Sequence, residues 1–166
     1  EYGLAEKGWK DGAPVLHADG SAAAHPIALC EVQGYAYRAL YDAAFILRDV
    51  LGDAAEETWH LRLRAARLKK DFDAHFWCAD IGTYAMALDR DLRPCRTVTS
   101  NPGHLLRTGI VDDKAKITAI AAGFADPARL FSGWGLRTLS LSDKSFDASS
   151  YQLGGVWPHD TLECLR

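Results

Sequence analysis

A seven-residue apolar repeat runs through residues 27–51. Its members are Cys30, Tyr37, Ala44 and Leu51, with Leu40 and Leu47 between them. Because residues seven apart return to the same face of an α-helix, the repeat predicts one long amphipathic helix over 27–51. Gly52 follows this segment, and glycine is the usual residue for the left-handed conformation just after a helix end.

A second apolar stripe predicts another helix over 54–75. Its members lie at positions i, i+4, i+7 and i+11, namely Leu61, Ala65, Leu68 and Phe72. Asp53 is a suitable N-cap, because its carboxylate can accept hydrogen bonds from the free amides of the first turn. Since only Gly52 and Asp53 separate the two segments, the helices are predicted to be antiparallel neighbours.

A β-hairpin is predicted after the second helix. The short apolar segment 83–88 follows Gly82 and is typical of a strand, with 92–96 as its returning partner.

Shorter helical elements are predicted in the second half of the chain. A short one covers 101–110, where Pro102 suits the first helical position. Another covers 113–124. A long ordered loop rich in glycine, serine and tryptophan then extends through residue 158, because its aromatic residues are too numerous for a disordered segment. A further helix begins at residue 159.

Together these elements predict a mainly all-α chain, organised as a single domain over 1–166 with a small β-hairpin insertion. Its 166 residues are 48% hydrophobic and 25% charged, which is typical of a globular protein. The formal net charge of -3 argues against a nucleic-acid partner. No apolar run approaches the roughly 20 residues that cross a bilayer, so no membrane partner is expected.

The four cysteines lack the spacing of a zinc site or a disulfide framework. They are Cys30, Cys78, Cys95 and Cys164. We therefore expect reduced, structural cysteines in a cytoplasmic protein, without a metal.

Aromatic residues and carboxylates are concentrated in the predicted loops. Tryptophan and tyrosine can stack on the apolar faces of sugars, while acids, amides and imidazoles bond the hydroxyls. Glycoside cleavage needs one carboxylic acid to protonate the leaving oxygen and a second carboxylate to activate water or attack the sugar. Composition alone favours a structural role for these residues over a role in sugar binding or catalysis. A loop tryptophan more often covers a core, and a loop aspartate more often caps a turn.

The order of several short motifs resembles the amylo-alpha-1,6-glucosidase family, which includes the glucosidase part of glycogen-debranching enzymes. These motifs are Gly8-Trp9-Lys10-Asp11, Ala18-Asp19-Gly20, Pro26-Ile27-Ala28-Leu29-Cys30-Glu31-Val32-Gln33-Gly34-Tyr35, Phe76-Trp77, Tyr84-Ala85-Met86-Ala87-Leu88-Asp89, Ser100-Asn101-Pro102-Gly103-His104-Leu105-Leu106, Ser132-Gly133-Trp134-Gly135-Leu136-Arg137-Thr138-Leu139-Ser140 and Gly155-Val156-Trp157-Pro158-His159-Asp160. They span nearly the whole chain.

This resemblance implies part of an (α/α)6 barrel, a ring of six helical hairpins with the active site at one mouth. The implied activity is inverting hydrolysis of α-glucosidic bonds in glucans or oligosaccharides, without a metal or cofactor. Asp11 matches the general acid of the family. The implied substrate-binding residues are Trp9, Lys10, Glu31, Gln33, Asn101, His104, Trp134, Trp157, His159 and Asp160.

The chain departs from the family pattern in three places. After Asp11 it continues as Gly12-Ala13-Pro14, where the family has a serine and a second aspartate. Tyr151-Gln152-Leu153-Gly154 replaces a segment that contains histidine and asparagine. The family's catalytic base lies beyond the match at Asp160, and Glu163, the nearest late carboxylate, matches no motif.

Three interpretations follow. Twelve helices of about 12 residues with short connections need roughly 200 residues, so the predicted helices make up only part of a barrel. The chain is then a partial or divergent glycosidase, a non-catalytic carbohydrate-binding remnant, or a helical scaffold. In each case open apolar helix faces are expected to be covered by the remainder of a larger chain or by a second copy.

Overall fold

The computed structural model describes residues 8–10, 15–52 and 55–165. The predicted general acid Asp11 and the departure at 12–14 lie outside these residues.

A helical hairpin forms the first half of the fold. Helix α1 covers Cys30–Phe45 and continues as a π-helical segment, Ile46–Val50, while α2 covers Ala55–Phe76. The two predicted long helices are therefore confirmed, but α1 begins at Cys30 rather than at residue 27. The preceding residues Ala28–Leu29 form strand β1 instead, because they pair with a later strand.

The predicted β-hairpin is divided into shorter pieces. Strand β2, Trp77–Cys78, pairs with β3, Thr83–Tyr84, and β4, Ala87–Leu88, pairs with β1. The single strand predicted over 83–88 is thus wrong. The chain bends between β3 and β4, where the Ala85 amide donates to the carbonyl of Phe76.

The predicted return segment is partly confirmed. The Cys95 amide donates to the Ala87 carbonyl at 2.8 Å, and the Met86 amide donates to the Cys95 carbonyl at 3.1 Å. An isolated bridge also joins Leu88 to Pro94. The segment around Cys95 therefore lies beside β4 through a few bonds, although it forms no continuous strand.

The second half contains a 3₁₀ turn and two helices. The turn covers Asn101–Leu105, which is shorter than the predicted 101–110. Helix α3, Lys114–Ala125, begins after Asp113, whose carboxylate accepts from two amides of the first turn. The chain from 126 to 157 is an ordered loop, as predicted, and helix α4 covers Pro158–Leu165.

The larger hydrophobic core joins the helical elements to β2 and β3. Its largest fully buried side chains include Phe72, Tyr84, Leu105, Ile120 and Leu136. A smaller cluster packs beneath β1 and β4. All four cysteines are free and buried. None of the described helices is both long and apolar enough to cross a membrane.

Apolar side chains remain exposed on the first helix of the hairpin and at its end, as expected for part of a barrel. They include Val32, Tyr41, Phe45, Ile46, Val50 and Leu51. A groove between α1 and α2 is lined by residues such as Ala36, Leu40 and Leu68. It stays a prediction that these faces are covered, either by a second copy of the protein or by the remainder of a larger chain.

Gly103→Ala is expected to destabilise the fold by about 1–3 kcal/mol. A Cβ atom at position 103 would lie 2.3 Å from the Cys164 sulfur and 2.8 Å from the Phe124 ring. Both neighbours are buried core residues, so neither can move away freely. Urea unfolding of the two proteins measures the difference.

Gly123→Ala is the matched control. Its Cβ atom would meet only the flexible end of Arg129, at 3.4 Å. Because Gly123 lies inside α3, alanine should stabilise this helix by about 0.5–1 kcal/mol. Equal loss of stability in both variants would contradict the packing described for Gly103.

Candidate functional site

Polar side chains from distant parts of the chain meet at one end of the fold. The N-terminal segment contributes Trp9 and Lys10, and the first turns of α1 contribute Glu31 and Tyr35. The 3₁₀ turn contributes Asn101 and His104, and the start of α4 contributes His159 and Asp160. Helix N-termini favour acidic groups, because their free amides and dipoles carry partial positive charge.

The 3₁₀ turn explains why Asn101 and His104 reach the same place. Side chains at i and i+3 of such a turn lie directly above one another. The turn packs closely on α1 at Gly34, where a Cβ atom would lie 2.9 Å from Leu105 and 3.2 Å from Thr108. The small residue therefore allows the turn to approach the start of α1.

His104 lies at the centre of a hydrogen-bond chain. Its Nε2 is 2.8 Å from Oδ1 of Asp160, and its Nδ1 is 2.5 Å from the hydroxyl of Tyr35. His104 and Asp160 are buried, while Tyr35 is 47% exposed. The chain of bonds thus leads from a buried carboxylate to the hydroxyl of a half-exposed tyrosine.

Lys10 provides a buried positive charge beside this chain. Its ammonium donates to Oδ1 of Asn101 at 2.6 Å and to the carbonyl of Thr138 at 2.7 Å. Burial lowers the pKa of Lys10 from its usual 10.5 to about 8, and the nearby Asp160 and Glu31 partly oppose that shift. Lys10 thereby ties the N-terminal segment to the 3₁₀ turn and to the long loop.

An aromatic and imidazole wall lies over these polar groups. The Trp9 ring stacks on His104 with centroids 5.9 Å apart and meets the edge of His159 at 4.9 Å. His159 also contacts Trp157, which packs against Tyr151. The Trp157 indole donates to the Tyr151 carbonyl at 2.9 Å, which fixes its orientation.

Four buried polar atoms of the cluster lack a hydrogen-bond partner within the described residues. They are Nε1 of Trp9, Oε1 of Glu31, Nδ2 of Asn101 and Oδ2 of Asp160. Buried polar atoms are usually satisfied by protein or solvent, since leaving them unpaired is costly. The cluster therefore has two unused hydrogen-bond donors and two unused acceptors among the described residues.

Most of the predicted substrate-binding residues are brought together. Trp9, Lys10, Glu31, Asn101, His104, Trp157, His159 and Asp160 all belong to the cluster described above. Their part in substrate binding stays a prediction.

Two predicted residues lie elsewhere. Trp134 is 94% exposed on the turn 132–135 and, among the described residues, makes no ring contact with the cluster. Gln33 is two residues from Glu31 on α1, which places the two about 200° apart around the helix. Its amide donates to the Leu29 carbonyl, and its side chain lines the groove between α1 and α2.

Tyr35 and Thr138 were missed as site residues by the sequence prediction. The signal for Tyr35 was available, because it lies four residues after Glu31 and therefore on the same face of α1. Thr138 contributes its backbone carbonyl to Lys10. A backbone contact between residues 128 positions apart has no local sequence signal.

Within the part of the chain that the structure describes, one group has side chains suited to a metal ion. His104, Asp160 and Cys164 place their ligand atoms within 4.8 Å of one another. However, His104 and Asp160 already share a direct hydrogen bond, and the Cys164 thiol contacts the same carboxylate oxygen at 3.7 Å. Burial raises the pKa of Cys164, which favours the thiol over the thiolate that metals bind. In this structure the three side chains are joined by hydrogen bonds to one another.

A match to one protein family covers almost the whole chain. Residues 7–165 match the family described as mannosylglycerate hydrolase MGH1-like glycoside hydrolase domain. No curated protein matches the chain significantly.

Solved structures of sugar-cleaving enzymes share the fold. A sialidase has a TM-score of 0.74 and 16% identity, covering 93% of this chain and 14% of its own. The neutral trehalase of Saccharomyces cerevisiae has a TM-score of 0.72 and 11% identity, covering 90% of this chain and 29% of its own.

A third structure is a mannosylglycerate hydrolase from Thermus thermophilus in complex with glucose. It has a TM-score of 0.68 and 16% identity, covering 83% of this chain and 31% of its own. This chain therefore spans less than a third of the length of each of these three structures. The prediction of a helical-hairpin glycosidase fold is confirmed, but the family is the MGH1-like one and not specifically the debranching one.

Proposed function

Because the chain belongs to the MGH1-like family of glycoside hydrolase domains, we propose that it forms one wall of the sugar cleft of an inverting glycosidase. The proposed substrates are oligosaccharides or glucans with α-glucosidic bonds. The observation that supports this most strongly is the wall of Trp9, His104 and His159 above buried polar groups.

The chemistry of that wall suits a sugar. A pyranose ring has an apolar face of CH groups and a rim of hydroxyls that both donate and accept hydrogen bonds. The partly exposed rings of Trp9 and Trp157 provide apolar area, and the exposed His159 provides an imidazole that can form a hydrogen bond with a hydroxyl.

The proposed reaction is a single displacement. Asp11, which follows the anchored Lys10 in sequence, donates a proton to the glycosidic oxygen as the bond to the anomeric carbon breaks. A water molecule forms the new bond to that carbon from the opposite face, and a carboxylate accepts its proton. We assign that second carboxylate to none of residues 1–166, Glu163 included.

The choice of a glucan or a glucan-derived oligosaccharide as substrate is made against two alternatives. Structures with the same fold are named as a mannosylglycerate hydrolase and a trehalase. Maltotriose and trehalose are both glucosides and differ in the group attached to the anomeric carbon, whereas mannosylglycerate has mannose in place of glucose. A comparison of the hydrolysis rates of the three substrates shows which of them the protein prefers.

The test is hydrolysis of maltotriose, trehalose and mannosylglycerate by the full protein, with product anomers followed by proton NMR. Fastest turnover of maltotriose with initial release of β-glucose is the expected result. Initial release of α-glucose would contradict inversion, and preference for either other substrate would replace the proposed one. Sugar binding without turnover would favour a carbohydrate-binding protein.

The variant Trp9→Ala tests whether the sugar binds at the aromatic wall of the cluster. It is expected to weaken maltotriose binding about 10-fold or more, since stacking on an aromatic ring contributes of the order of 1–3 kcal/mol. Trp59→Ala is the matched control, because Trp59 is exposed on α2 and its ring contacts the neighbouring His60. Equal affinities of the two variants would exclude the aromatic wall as the sugar site.

A further inference from the structure

The half-exposed Tyr35 is the outer end of the hydrogen-bond chain through His104. The Tyr35 ring meets His104 edge-on with centroids 6.1 Å apart, and its oxygen lies 2.5 Å from Nδ1. The imidazole also stacks against Trp9. His104 is thus held by both rings and cannot turn without breaking these contacts.

Asp160 determines which ring nitrogen of His104 has the proton. A carboxylate only accepts hydrogen bonds, so the bond between Asp160 and Nε2 requires a proton on Nε2. Asp160 is fully buried, and the ammonium of Lys10 lies close enough to interact with its charge. In the neutral imidazole, Nδ1 is then a bare acceptor.

The direction of the last bond follows from this tautomer. In the neutral imidazole with its proton on Nε2, Nδ1 has no proton, so the Tyr35 hydroxyl donates its own. Burial and the nearby Glu31 raise the pKa of Tyr35 to about 12, so the hydroxyl keeps its proton at neutral pH. Its oxygen is left with lone pairs only.

We propose that Tyr35 is a sugar-binding residue that accepts a hydrogen bond from a substrate hydroxyl, and that Asp160 and His104 position it. This inference rests on the proposed function for the identity of its ligand. The tautomer of His104 and the direction of the Tyr35 bond do not depend on that function.

The consequence is a selective contact. A hydroxyl group can ordinarily donate or accept, so it discriminates poorly between ligand groups. Once its proton is committed to His104, Tyr35 can bind only a donor, which a sugar hydroxyl is and an ether oxygen is not. A sugar with that hydroxyl replaced by a methoxy group should therefore bind less well.

The first arm of the test is the tautomer of His104, measured on the unliganded protein by long-range nitrogen–proton NMR. The expected spectrum has a protonated Nε2 and a bare Nδ1. Asp160→Asn should reverse it, because the amide can donate to Nε2. A protonated Nδ1 in the wild-type protein would overturn the proposal whether or not the protein is a glycosidase.

The second arm is maltotriose binding by Tyr35→Phe, which removes only the hydroxyl. We expect about 5- to 50-fold weaker binding, with unchanged folding by circular dichroism. Tyr41→Phe is the control, since Tyr41 lies on the same helix away from the cluster and packs against Tyr37.

A double-mutant comparison tests whether Asp160 affects sugar binding by positioning Tyr35 or only by stabilising the fold. Asp160→Asn should weaken binding in the wild-type background but have little additional effect in the Tyr35→Phe background, because both changes act through one hydroxyl. Additive losses would show that Asp160 does not act through Tyr35. Tight sugar binding that is unchanged in Tyr35→Phe would overturn the proposal while leaving the proposed function intact.

Discussion

Asp11→Asn is expected to lower the hydrolysis rate by about 100- to 10,000-fold while leaving sugar affinity nearly unchanged. An amide cannot supply the proton that the leaving oxygen needs, but it preserves the size and most hydrogen-bonding capacity of the side chain. Steady-state hydrolysis of maltotriose and equilibrium binding of the same sugar measure the two effects separately.

Asp91→Asn is the control for this change. Asp91 is exposed in the turn after β4 and is not one of the cluster residues, and its substitution removes the same charge. Full activity in both variants would exclude Asp11 as the acid. A parallel loss of affinity and rate in Asp11→Asn would instead indicate a role in binding.

Lys10 is expected to produce a large pH dependence of stability. Its pKa is about 8 in the folded protein and 10.5 ordinarily. Between these values the unfolded chain binds more protons than the folded one, so the contribution of Lys10 to the free energy of unfolding rises as pH increases. Across the whole window the rise amounts to about 3 kcal/mol.

Urea unfolding between pH 7 and 11 tests this by comparing the wild-type protein with Lys10→Met. Other groups, such as the buried Cys30 and Tyr84, titrate with raised pKa values and destabilise the fold as pH rises. Because these groups are present in both proteins, the difference between the two pH profiles isolates Lys10. Lys144→Met, outside the cluster in the long loop, should follow the wild-type profile.

Parallel profiles for Lys10→Met and the wild-type protein would contradict the buried ammonium. They would also contradict the role of Lys10 in anchoring the segment that precedes Asp11.

The sequence predicted the elements that depend on local pattern. The helices around the repeats of Tyr37 and Phe72 were recovered, as was α3, because helix periodicity is a local property. The segment 83–88 was misjudged because its two halves pair with different strands, one of which is distant in sequence. Strand β4 pairs with Ala28–Leu29, and such pairing has no signal in a short apolar run.

The candidate site was predictable only in part, for the same reason. The motif resemblance identified Trp9, His104 and Asp160 as site residues, although the buried hydrogen bond between His104 and Asp160 joins residues 56 positions apart. It also included Trp134, whose motif position says nothing about which way the ring points. Gln33 could have been questioned from helix geometry, since Glu31 and Gln33 cannot share a face.

The measurement that tests the central claim most directly is an NMR titration of the protein with maltotriose, following tryptophan indole and histidine imidazole resonances. We expect the largest shifts at Trp9, His104 and His159, and none at Trp59 or Trp134. Shifts confined to other residues, or no shift in a folded sample at millimolar sugar, would contradict the assignment of this cluster as the sugar site.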